Sequence, residues 1–141
     1  MSTSTDTQRG RLRFDGVECT PTPDGYGTIS VRLEWGGVCH EGEARGVQTR
    51  EGDIRTAALA TLEATRAVLG EAGPKFDLIG VKGTRAFDDW VVIASVDARE
   101  GDETQRRLLG AKTCDDDDLV RASVIATLDA LNRLLEKYLK E

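Results

Sequence analysis

Apolar and polar residues alternate over "TISVRLEW" (Thr28–Trp35), with Ile29, Val31, Leu33 and Trp35 on one side and Thr28, Ser30, Arg32 and Glu34 on the other. That period of two predicts a half-buried strand. Gly36-Gly37 then supplies a two-residue turn, and "VCHEGEARG" (Val38–Gly46) returns as the hairpin partner. The β-branched run "WVVIASVDA" (Trp90–Ala98), the polar turn "REGDET" and "QRRLLGAKT" (Gln105–Thr113) repeat the arrangement. "RLRFDGVEC" (Arg11–Cys19) and "FDLIGVKGT" (Phe76–Thr84) predict the strand that precedes each hairpin.

After each hairpin the apolar spacing becomes helical. Ile54, Ala58, Leu62 and Leu69 share a face, matched by Val120, Val124, Leu128 and Leu135. The segments Ile54–Leu69 and Val120–Leu135 align without gaps at an offset of 66, with six of sixteen positions identical. Upstream, "FDGVECT" (Phe14–Thr20) and "LIGVKGT" (Leu78–Thr84) share Gly-Val and Thr at an offset of 64. Two matches in the same order indicate a duplication. The expected fold is therefore α+β, a duplicated βββα unit with pseudo-twofold symmetry and antiparallel sheets each packed with one long helix. One unit of this size has too little core to stand comfortably alone, so the helix faces should be buried between the two. The expected division is a disordered tail at 1–10, a first unit at 11–72 and a second at 73–141, together one compact domain. Gly73-Pro74 cannot continue the first helix and marks the boundary.

Composition narrows the function classes. Twenty-five acidic and 19 basic residues give a formal charge of −6 with the signs interspersed. That argues against a surface that tracks nucleic-acid phosphates, and the acidic helix start argues against the double-stranded-RNA-binding layout. No run approaches a membrane span, which excludes a membrane partner. Cys19, Cys39 and Cys114 are odd in number with no CxxC pair, which fits free thiols and a cytoplasmic location. His40 is the single histidine.

Candidate chemistry is sparse. Phosphate-loop, nucleophile-elbow, zinc-protease and dinucleotide motifs are all missing, and no catalytic residue, metal or cofactor is expected. The run Asp115–Asp118 directly precedes the second helical segment. Carboxylates there favour the positive end of the helix dipole, and Asp117 or Asp118 is placed to cap a backbone N–H. A calcium loop would instead space its acids at alternate positions. Asp88-Asp89 reads as a solvated turn, and Trp35 and Trp90 as core or interface anchors.

From Arg11 onward the chain resembles the C-terminal regulatory domain of 2-isopropylmalate synthase and its citramalate synthase relatives. The resemblance is carried by "GTRAFDDWVVIASVDAREGDETQRRLLGAKTCDDDDLVRASVIATLDALNRLL" in the second unit. There Asp118, Leu119, Val120, Ala122, Ser123, Ala126, Leu128, Ala130, Leu131, Asn132 and Arg133 follow that family's closing helix pattern. Thr127 stands where the pattern has an aromatic, and "RGVQTREGD" (Arg45–Asp53) replaces its Gly-Pro-rich turn. The family's catalytic barrel has no counterpart in these residues. The resemblance thus implies a stand-alone, non-catalytic module that binds an amino acid or small carboxylate and joins a homodimer or a partner protein. It places the ligand beside Gly46, Asp53, Gly110, Asp118, Ala122 and Ser123, where helix-start N–H groups can receive a carboxylate and an aspartate an amino group. The alternative is a structural or protein-interaction module that has lost this ligand.

Overall fold

In the computed structural model, which describes residues 12–101 and 104–139, six strands and two long helices follow one another as two βββα units. The first consists of β1 (Arg13–Pro21), β2 (Tyr26–Trp35), β3 (Val38–Val47) and α1 (Arg50–Leu69). The second consists of β4 (Lys75–Ala86), β5 (Asp89–Glu100), β6 (Thr104–Cys114) and α2 (Leu119–Tyr138). Each triplet forms its own antiparallel sheet, ordered β1-β2-β3 and β4-β5-β6. The α+β, duplicated βββα architecture is the one the periodicity predicts. The tail expected at residues 1–10 lies outside the described residues.

The strands outrun their apolar runs. β5 extends from Trp90–Ala98 to Asp89–Glu100, because backbone pairing continues through Glu100↔Thr104. Ladder hydrogen bonds need no apolar side chain. Trp35 and Val38 close the first hairpin around Gly36 (φ 60°) and Gly37 (φ 81°), the positive-φ pair a tight hairpin requires. The corresponding strand-to-strand bulge recurs in both sheets, between Phe14 and Gly16 and between Leu78 and Gly80. That repeats the offset of 64 seen in the sequence.

The helices lie against the inward faces of both sheets. Ile29, Val31 and Leu33 of β2 are at most 3% exposed and pack with Ala57, Ala60 and Ala64 of α1, joined by Val124 of α2. Reciprocally, Leu62 of α1 enters the cluster of Phe76, Val96, Leu131 and Leu134, and Ile54 packs with Val92, Ala94 and Ala122. Each helix thus completes the core of the other unit. Burying one such Val, Leu or Ile stabilises by about 1.5–3 kcal/mol, so neither sheet is complete without the second unit. The buried hydroxyls of Thr61, Thr65 and Thr127 donate to carbonyls four residues back, which removes the cost of placing them in the core.

Candidate functional site

The two helices begin differently. Thr49 caps α1: its Oγ1 accepts from the Gly52 N–H at 3.0 Å. Asp116–Asp118 form a 3-10 turn closed by Asp118 N–H to Asp115 C=O at 3.1 Å, and α2 starts at Leu119. The aspartates do open the helix, but neither Asp115 nor Asp118 makes a side-chain cap. Compared with the sequence expectation, the stabilising contribution of the run is electrostatic rather than a capping hydrogen bond.

Between these two helix starts and the end of β1 lies an open groove of about 430 Å³. Its charged lining is Arg50, Arg121, Asp53, Asp116, Asp117 and Asp118, with Cys19 beside them. Arg50 reaches Asp116 at 3.5 Å, with both side chains more than half exposed, so the pair is weak. Its guanidinium also lies 5.1 Å from the Trp90 ring centroid, while that of Arg121 lies 4.9 Å from the Phe14 centroid. Aromatic faces hold both cations without neutralising them. Burial pushes the Asp53 carboxyl above its usual range. Burial also raises the Cys19 thiol, and the charge of Asp53 raises it further. Across Asp118 and Arg121 a second hollow of about 420 Å³ contains Asp89, Lys112 and Cys114. Burial, followed by the charges of Asp118, Asp115 and Asp89, raises the Cys114 thiol as well. A raised thiol pKa depletes the thiolate, so neither cysteine is an activated nucleophile.

Of the six residues placed at the site by the resemblance, Asp53 and Asp118 come together in the groove. Ala122 lines only the second hollow and is 1% exposed. Ser123 is fully buried, its Oγ donating to the Ile54 carbonyl at 2.6 Å across the two helices. That bond makes it part of the helix packing. A Cβ on Gly110 would meet the Ala126 carbonyl oxygen at 2.2 Å, so this glycine permits close strand–helix contact. Gly46 is likewise pressed against the Thr56 hydroxyl of α1. Sequence reasoning missed Cys19, Arg50 and Arg121. Arg121 carried a signal, being identical to Arg55 in the repeat, whereas Arg50 and Cys19 carried none.

Cys39 and His40 are consecutive in β3 and therefore point to opposite faces, which separates them as metal ligands. Among the described residues, no three His, Cys, Asp or Glu side chains are grouped so as to hold a metal ion. No helix among them is long and apolar enough to cross a membrane. No protein-family model matches the chain, and no curated protein matches it.

Proposed function

We propose that the chain is a non-catalytic regulatory module that binds a small amino acid or carboxylate in the groove between the helix starts. The observation that carries this reading is the convergence in one hollow of two guanidiniums, Arg121 and the Arg50 whose one ion pair is the weak, exposed contact with Asp116, with the half-buried Asp53. Opposite charges lining one hollow suit a zwitterion: its carboxylate meets the cations and its ammonium meets Asp53. A ligand ammonium would also relieve the cost of keeping Asp53 ionised where it is partly desolvated. The resemblance to the regulatory domain of 2-isopropylmalate synthase points to the same end of the molecule, with Asp53 and Asp118 in common.

Thermal-shift screening with branched-chain amino acids, their deaminated acids and their decarboxylated amines tests the proposal. Saturating zwitterion should raise the melting temperature by several degrees, since a ligand at about 100 times its Kd adds roughly 2.7 kcal/mol. Asp53→Asn should abolish the shift. No stabilisation by any of these compounds would overturn the amino-acid reading.

A second reading, a structural or interaction module without a ligand, is favoured by the Arg50–Asp116 contact, in which the groove supplies its own counter-ion. Under that reading Asp116→Asn leaves the chain's response to every compound unchanged. Under the first reading, freeing Arg50 strengthens carboxylate binding.

A further inference from the structure

The duplication provides an internal control for the outward faces of the two sheets. Gly16-Val17 of β1 and Gly80-Val81 of β4 are equivalent, each directly following the bulge. Gly42 and Gly110 are equivalent in β3 and β6, each lying against a matched pair of helix alanines. Through the register, Asp15 then corresponds to Ile79, Ser30 to Ile93, Arg32 to Ser95, Glu41 to Leu109 and Glu43 to Ala111. On the first sheet these positions form polar contacts: Ser30 Oγ donates to Glu41 at 2.5 Å, and Arg32 lies 3.8 Å from Asp15. On the second sheet the same places hold Ile79 (46% exposed), Ile93 (37%) and Leu109 (69%). The centre of one outer face is polar, its exposed Tyr26 and Val47 lying paired at its end, whereas its copy presents three large apolar side chains across its centre.

We infer that the outer face of the second sheet is the interface for a second copy of this chain, packed sheet on sheet about a twofold axis that crosses the strands. Charge placement selects this occupant. Gly80, Ser95 and Leu109 form one row across the sheet. The next row on one side contains Lys82 opposite Ile93, and the next on the other side contains Asp77 opposite Asp97. Lys82 and Asp77 are both exposed, and neither is in an ion pair among the described residues. An axis through the central row sets Lys82 over the partner's Asp77, and the reverse contact follows by symmetry. Asp97 is already held by Arg107 at 2.5 Å and brings no unpaired charge into the contact. The same axis sets Leu109 over its own copy and Ile93 over the partner's Asp97, whose charge Arg107 already answers, while Lys82 and Asp77 each find an opposite partner. This interface does not depend on whether the groove takes a ligand.

Sedimentation velocity on the full chain, from micromolar to millimolar concentration, tests the inference. The wild-type chain should dimerise reversibly. Leu109→Glu installs the residue that the first unit carries and should weaken dimerisation by about tenfold or more, with an unchanged circular-dichroism spectrum. Because that variant alone does not prove the orientation, Lys82→Asp and Asp77→Lys are made singly and together. Each single change should weaken the dimer, and the double exchange should restore it. A chain that stays monomeric throughout the range overturns the inference, as does a dimer indifferent to Leu109→Glu. A dimer lost with Leu109→Glu but not restored by the charge exchange overturns the proposed axis.

Discussion

Gly42 of β3 and Gly110 of β6 stand at the same place in the two units, each pressed into the backbone of the helix that follows it. A Cβ on Gly42 would lie 2.0 Å from the Ala64 N and 2.5 Å from the Ala60 carbonyl oxygen. On Gly110 it would lie 2.3 Å from the Ala130 N and 2.2 Å from the Ala126 carbonyl oxygen. Backbone cannot swing aside as a side chain does, so the helix must lift from the sheet. Gly42→Ala and Gly110→Ala should each destabilise by about 2–4 kcal/mol, read from chemical denaturation. Gly80→Ala is the control, since no atom lies within 4 Å of its Cβ position and its φ is not positive. It should be neutral or stabilising by about 0.5 kcal/mol.

The β4–β5 turn is the opposite case. Phe87 (φ 55°) and Asp88 (φ 67°) are the two non-glycine residues with positive φ among the described residues, and Phe87 is 98% exposed. A bulky side chain in the left-handed region costs about 1 kcal/mol or more, and this one regains nothing by burial. Phe87→Asn with Asp88→Gly supplies the pair this turn geometry favours. The double variant should raise the melting temperature by about 3–6 °C, on the order of 1–2 kcal/mol.

The alternation in β2 and the matched helix faces made the fold readable, because burial imposes those periods on the chain. The repeated Gly-Val likewise announced the repeated bulge. The site was only partly readable. Asp53 and Asp118 are next to helix starts in the sequence, and helix starts converge when units pack reciprocally. Ser123 and Gly110 belong to the same motif but face the other way: the pattern records that a position matters and not whether it serves packing or a ligand. Arg50 enters the groove because β1, α1 and the 3-10 turn meet there, a tertiary juxtaposition with no local sequence period.

Glu100 joins the end of β5 to the end of α2. Its Oε1 accepts from Lys137 Nζ and Tyr138 Oη, both at 3.0 Å, and Arg106 lies 3.5 Å from Oε2. The hydrogen bonds from Lys137 and Tyr138 hold the carboxyl below the ordinary glutamate range. A depressed folded pKa contributes stability that is present above the unfolded value, about 4.3, and is lost as the pH falls through the folded one. Glu100→Gln should therefore lower the melting temperature at pH 7 and have little effect near pH 2. A difference of equal size at both ends would exclude this ionisation as the cause.

Asp53 carries the reverse linkage. Burial raises its folded pKa, so its ionised form opposes folding at neutral pH, and the penalty disappears as acid protonates it. Asp53→Asn should therefore raise the melting temperature at pH 7 and give no gain once the pH is well below the carboxylate range. The same change removes the negative charge that helps to raise the Cys19 thiol. Alkylation of Cys19 near pH 8, followed by peptide mass spectrometry, should then run faster, whereas Cys39 serves as an unaffected reference. If ligand binding is lost in the same variant that gains stability, the two measurements assign Asp53 to the ligand rather than to the fold.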